Sequence, residues 1–186
     1  MLYSKLAELY ENLGNTTKRL EKIEILSKFL EYLSEKDKDI LYLLNGEIYP
    51  TYDERKIGIS NQLVIKAISK ASGNSPDKVV QEWKKIGDLG KVAEKLINTK
   101  KQSTLFLKSH LTTDKVIENL RKLPELEGEG TIEKKLILIT ELLISASPIE
   151  ALYIVRTLLG DLRIGIQEST IRESLAKAFF NSDKES

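Results

Sequence analysis

The sequence has no cysteine and a single histidine in 186 residues. The first absence excludes a disulfide framework and any thiolate metal site, and His110 has no second histidine with which to complete a zinc-type site. Excess charge of either sign is missing as well: 29 basic against 28 acidic residues leave a formal net charge of +1. A phosphate-rich partner would have to be met by a local basic patch rather than by the charge of the whole chain. Long hydrophobic runs are absent too. The most apolar stretch, Leu136 to Ile144, is interrupted by Thr140 and Glu141 and is far too short to span a bilayer. The amphipathic start Met1-Leu2-Tyr3-Ser4-Lys5-Leu6-Ala7-Glu8 is unlike a secretory leader, so a cytoplasmic protein with no membrane partner is expected. No phosphate-cradling Walker loop, metal-ligand cluster or related serine–histidine pair stands out, and the carboxylate pairs Asp53-Glu54 and Glu127 with Glu129 read as solvated loop charge.

What is present is helical periodicity in a globular composition, 41% hydrophobic and 31% charged. Leu2, Leu6, Leu9 and Leu13 form one stripe and Leu20, Ile23, Leu26, Leu30 and Leu33 the next, with a third helix expected from about Lys36 to Leu44. Asn45-Gly46 then opens a connection that carries Arg55 and Lys56 up to Ile57-Gly58-Ile59. Ser75-Pro76 and Ser147-Pro148-Ile149-Glu150 are helix starts, the second a capping box. Trp83, flanked by Val79, Val80 and Ile86, reads as core. Thr112 or Thr113 caps a helix ending near Pro124. After a turn over Glu125 to Gly130, Thr131 starts an apolar helix whose first turns bear Lys134 and Lys135. A glycine turn, a capping hydroxyl, free helix N–H groups and two lysines are the parts of a phosphate clamp. The expected fold is all-α: one compact multi-helix domain over residues 1–180, followed by a polar tail over 181–186.

The segment Leu162-Arg163-Ile164-Gly165-Ile166-Gln167 alternates in character. Extended, it would bury Leu162, Ile164 and Ile166 and present Arg163, Gly165 and Gln167: a cation, a bare backbone and an amide. Those are parts suited to close approach to a sugar–phosphate surface, with Arg163 able to enter a minor groove and the following helix start aimed at a phosphate. The pattern occurs twice. Ile57-Gly58-Ile59 and Ile164-Gly165-Ile166 each precede a helix at a constant offset of 107 residues, with Val64 over Ile171 and Ile68 over Leu175. Two pseudo-repeated helical halves, about 1–100 and 101–180, would place two such loops on one molecule, as a grip on a two-stranded partner requires.

Gly160-Asp161-Leu162-Arg163-Ile164-Gly165-Ile166, preceded by Ala151-Leu152-Tyr153-Ile154-Val155-Arg156, resembles the most characteristic segment of the N-terminal DNA-binding domain of ATP-dependent DNA ligases of the archaeal and eukaryotic replicative type. Gly87-Asp88-Leu89-Gly90-Lys91-Val92-Ala93-Glu94, Leu111-Thr112-Thr113-Asp114-Lys115-Val116 and Gly128-Glu129-Gly130-Thr131 ahead of Lys134-Lys135 extend the resemblance, in the family's order, over nearly the whole chain.

The resemblance implies a domain that grips nicked duplex DNA by backbone and shape, through the minor groove and phosphates, and helps absent catalytic domains encircle the substrate. It points to Arg163 and Gly165 at the minor groove with Gly160 shaping the approach, joined by Gln167 and Thr170. Thr131, Lys134 and Lys135 would hold phosphate, and Lys56, Gly58, Ser60 and Asn61 would do the corresponding work in the other half. Gln167 departs from the small residue frequent in the family, and Glu168 beside it would oppose a nearby phosphate. The family's adenylation signature, lysine, any residue, aspartate, glycine, does not occur. No cofactor is therefore expected in this chain, ATP and Mg belonging to the absent catalytic domains. Gln102, Leu105 and Phe106 have the spacing of a shortened sliding-clamp-binding box, or else the two apolar residues tuck this loop onto the core. A competing reading is a helical adaptor that uses the same surface to bind protein.

Overall fold

A computed structural model describes residues 1–50, 52–102 and 110–180. Leu105 and Phe106 lie outside the described residues, and of Gln102 only the backbone, as the last residue of a helix, is described. Among the described residues there are ten α-helices and no strand: α1 Tyr3–Gly14, α2 Arg19–Glu31, α3 Ile40–Leu44, α4 Asn61–Ser72, α5 Pro76–Ile86, α6 Leu89–Gln102, α7 Thr113–Glu125, α8 Thr131–Ser145, α9 Pro148–Leu158 and α10 Glu168–Phe180.

Local chemistry sets most of these boundaries. The Ser60 hydroxyl accepts from the Leu63 N–H to start α4, Ser75 from Lys78 to start α5, and Thr112 from Lys115 to start α7. At α9 both bonds of the Ser147–Glu150 capping box form. Two expectations shift. The single helix foreseen from Lys36 is broken into a short 3-10 turn, Glu35–Asp37, and then α3, because Asp37 reaches back to the Ser34 N–H and hydroxyl and closes a turn of its own. At α8 the cap is Gly130 in the left-handed region, not the Thr131 hydroxyl, which instead donates to the Gly128 carbonyl.

The α9 helix is the centre of the molecule. All of Glu150 to Leu158 is buried, and its most extensive neighbour is α6. That close packing depends on Gly90, where a Cβ would stand 2.8 Å from the Leu152 carbonyl oxygen and 2.9 Å from Arg156 Cγ. Helices α2 with α10 and α4 with α8 form the other large pairings. Tyr10 and Tyr153 rings meet at 5.0 Å between centroids in a tilted arrangement that ties α1 to α9. Trp83 is half-buried at the edge of the core rather than enclosed by it.

The two glycine-preceded helices share a local feature: Gly58 and Gly165 both adopt positive φ, 54° and 62°. Their surroundings differ, since α4 packs on α5, α6 and α8 while α10 packs on α2. The packing does not establish two matching halves.

Candidate nucleic-acid interface

The C-terminal end of α9 feeds a short irregular segment, 159–167, that leads to α10. Burial alternates along it as the sequence pattern requires: Leu162 and Ile164 are buried and Ile166 is half-buried, whereas Arg163, Gly165 and Gln167 are exposed. The backbone is not a straight extended strand. Arg163 sits at φ 55°, the one non-glycine residue with positive φ among those described, and Gly160 and Gly165 adopt 68° and 62°. A non-glycine residue held in this region stores strain that neighbouring contacts must maintain.

Those contacts converge on Asp88, at the start of α6. One carboxylate oxygen accepts the Gly90 N–H at 2.8 Å and the Lys91 N–H at 3.3 Å; the other accepts both Arg156 Nε at 3.2 Å and Nη2 at 2.6 Å. Arg156 Nη1 also donates to the Leu162 carbonyl at 3.3 Å, so the buried pair anchors the segment itself. Arg163 Nη1 lies 3.5 Å from the same Asp88 oxygen, and its Nε donates to Asp161 at 2.8 Å. Burial pushes the Asp88 carboxyl pKa up, but hydrogen bonding and charge from Arg156, with help from the Lys91 N–H and Arg163, outweigh it and hold the group below its ordinary value. The Arg163 pKa is raised, chiefly by its hydrogen bond to Asp161. Sequence reasoning assigned no role to Asp88 or Arg156; both lie in the quoted family blocks, but only their contact reveals what they hold.

Two shallow cavities connect this segment with the Gly58 loop. One of about 550 Å³ is lined by Lys56, Gly58, Ile59 and, from the α9 end, Thr157 to Gly160. A second of about 230 Å³ is lined by Asn61, Trp83, Asp88, Arg156, Asp161 and Arg163. Leu159 lines both, so the two cavities adjoin at that residue and together make up a groove between the two segments. Lys56, Gly58 and Asn61 are thus brought beside Gly160 and Arg163 from about a hundred residues away in sequence. Ser60, although exposed, uses its hydroxyl to cap α4.

Other expected residues fall elsewhere. Thr170 is buried with its carbonyl accepting from Ser174, so its side chain adds nothing to the surface. Lys134 is exposed and Lys135 half-buried at the start of α8; neither lines the groove. Among the described residues Lys56, Lys134 and Lys135 have no ion-pair partner, whereas Arg55 is engaged by Asp53 and Glu125 and stacks 3.9 Å over the Tyr49 ring. Gly165 has an internal reason to be glycine: besides its positive φ, a Cβ there would stand 2.6 Å from the ammonium of Lys22 on α2. That buried lysine was not singled out from the sequence.

No described helix is long and apolar enough to cross a membrane, and among the described residues no group of three or more His, Asp or Glu side chains is placed to hold a metal ion.

The chain is similar to proteins named DNA ligase over nearly its whole length. It is 44% identical to one from Methanosphaera stadtmanae across 98% of this chain, 40% identical to one from Methanocaldococcus jannaschii across 100%, and 41% identical to one from Nanoarchaeum equitans across 96%. It spans only 33%, 33% and 31% of those relatives, about a third of each. A family model described as DNA ligase N terminus matches residues 2–176, the span that contains both the Asp88-anchored segment and the Gly58 loop. The chain belongs to the DNA ligase N-terminus family.

Proposed function

We propose that this chain is the DNA-binding domain of an ATP-dependent DNA ligase, gripping nicked duplex through minor-groove and phosphate contacts without reading base sequence. The observation that carries the reading is the groove lined by residues of both the Lys56–Asn61 and the 159–163 segments, Arg163 among them. A guanidinium beside exposed, close-approach backbone suits the narrow, electronegative minor groove, and the unpaired Lys56, Lys134 and Lys135 supply phosphate contacts that are indifferent to sequence. A nick-sealing enzyme in replication and repair must accept any sequence, so backbone contacts are the appropriate means. Catalysis, with ATP and Mg, is assigned by this reading to the remainder of a whole ligase, and the setting to the cytoplasm. Docking of a sliding clamp through Gln102, Leu105 and Phe106 is proposed on the sequence pattern alone.

The test is fluorescence anisotropy of a labelled nicked duplex at several salt concentrations. Binding is expected to be indifferent to sequence and to weaken with a log–log salt slope of about −0.9 for each phosphate contacted, while Arg163→Ala reduces affinity about ten- to a hundredfold. Undetectable duplex binding at low salt would reject autonomous DNA binding and leave the helical adaptor, whose protein contacts depend little on salt. Tight binding unchanged by Arg163→Ala would keep the function and remove Arg163 from the contact.

A further inference from the structure

Two cations are buried among the described residues, Lys22 and Arg156. Arg156 is paired with Asp88. Lys22 meets no carboxylate; its ammonium donates instead to two successive main-chain carbonyls, Ile164 at 2.7 Å and Gly165 at 2.8 Å. An ammonium withdrawn from water without a counter-charge is costly, so a buried lysine satisfied only by carbonyl dipoles holds those dipoles firmly in place.

The consequence lies on the opposite side of the backbone. A peptide unit is planar, and in the trans form its N–H points away from its C=O; no described peptide bond is cis. With the Ile164 and Gly165 carbonyls drawn inward onto Lys22, the N–H groups of the same two peptides, those of Gly165 and Ile166, are turned outward. Neither has an acceptor among the described residues. Gly165 is exposed, and so is Arg163, two residues before it, so the free N–H donors have a cation close by in the chain. Successive outward N–H groups are a recurrent means of holding anionic oxygens.

Building on the DNA-binding reading, we propose that Lys22 is a positioning residue that turns the Gly165 and Ile166 N–H groups outward to receive a backbone phosphate oxygen. Lys22 does not touch the DNA; it acts through the peptides it orients. The surrounding charge is arranged to keep it there. Arg19 of α2 pairs with Glu173 of α10, and Lys177 of α10 with Glu24 of α2, locking the helix that carries Lys22 against the helix that follows the segment. Glu168, the nearest exposed carboxylate in sequence, is 3.8 Å from Arg172, which offsets its repulsion of a phosphate.

The test follows the backbone amide resonances of the ¹⁵N-labelled chain during titration with nicked duplex and, separately, with inorganic phosphate at constant ionic strength. The Gly165 and Ile166 resonances are expected to move in both. In Lys22→Met, checked for wild-type circular dichroism, the phosphate response of these two amides is expected to vanish. Its duplex affinity should fall about tenfold, with a salt slope shallower by about one contact. If Lys22→Met does not fold, Gly165→Ala is the second variant: its methyl displaces the Lys22 ammonium while retaining the lysine, and it should lose the same response. Wild-type amides that respond to neither titrant would overturn the proposal, as would an unchanged response in folded Lys22→Met. A chain that ignores duplex while its amides still respond to phosphate, in a way Lys22→Met abolishes, would keep the Lys22 role and reject the DNA-binding reading.

Discussion

Arg163 is asked to hold a backbone conformation that its own side chain disfavours, with φ at 55° while Asp161 and Asp88 fix the guanidinium. Left-handed backbone costs a non-glycine residue about 1–2 kcal/mol. Two substitutions separate the side chain's contribution from that strain. Arg163→Ala removes the guanidinium and keeps the strain, whereas Arg163→Gly removes both. Urea denaturation is expected to show Arg163→Gly more stable than Arg163→Ala by about 1 kcal/mol, with both equally impaired in duplex binding. Equal stabilities would mean that the segment relaxes out of the left-handed region once the arginine is gone. The alternation that singled out Arg163 was readable in the sequence because Leu162 and Ile164 are apolar and their neighbours are not. The positions of Asp88 and Lys22 were not readable. Lys22 meets its carbonyl partners 142 and 143 residues away, and a lysine on an amphipathic helix carries no mark of which face it will join. The burial of Thr170 was unreadable for a related reason: a hydroxyl near a helix start can face solvent or the core, and here it is buried.

Between elements, charge adds to apolar packing where α5 joins α6. Helix α5 buries only Val79 and Glu82, and Glu82 is held by Lys78 of its own helix at 3.1 Å and Lys95 of α6 at 2.6 Å. Hydrogen bonds from Lys95 and then Lys78 lower the Glu82 pKa from 4.5 to about 2. A carboxylate with a depressed folded-state pKa adds stability that is complete above its ordinary value and is lost as pH falls through the folded one. The Glu82 contribution should therefore be present above about pH 4.5 and fade toward pH 2. Glu82→Gln is expected to be less stable than wild type at pH 7, with the urea midpoints converging near pH 2; a gap that persists in acid would place the effect in packing rather than charge. Helices themselves were the most legible level, since Ser60, Ser75, Thr112 and the Ser147–Glu150 box act at their own termini. The break before α3 was less so, because a Ser34–Asp37 capping box spends its bonds on a single turn, and propensity alone would have continued the helix.

Across the whole molecule the chain is interlaced rather than divided. The large pairings α6 with α9, α2 with α10 and α4 with α8 all join a helix starting before residue 100 to one starting after it. The N-terminus is pinned across the same line: the Tyr3 N–H donates to the Leu111 carbonyl at 2.8 Å and the Thr113 N–H to the Met1 carbonyl at 2.9 Å. A repeated sequence pattern suggests halves, but a pattern of glycines and aliphatics reports only local backbone and burial, and says nothing about which helix each stripe is buried against. The groove has the same dependence, since Lys56, Gly58 and Asn61 come from one side of the line and Gly160 and Arg163 from the other. Cutting the chain near residue 100 would expose the buried face of α9 on one fragment and of α6 on the other, an apolar loss that neither can recover alone. Calorimetry of the intact chain is therefore expected to give one transition with matching calorimetric and van't Hoff enthalpies. Fragments 1–100 and 101–186, made separately, should show no cooperative transition and no salt-sensitive duplex binding. A fragment that melts cooperatively on its own would show that the halves fold independently and that the groove is assembled by docking rather than by a shared core.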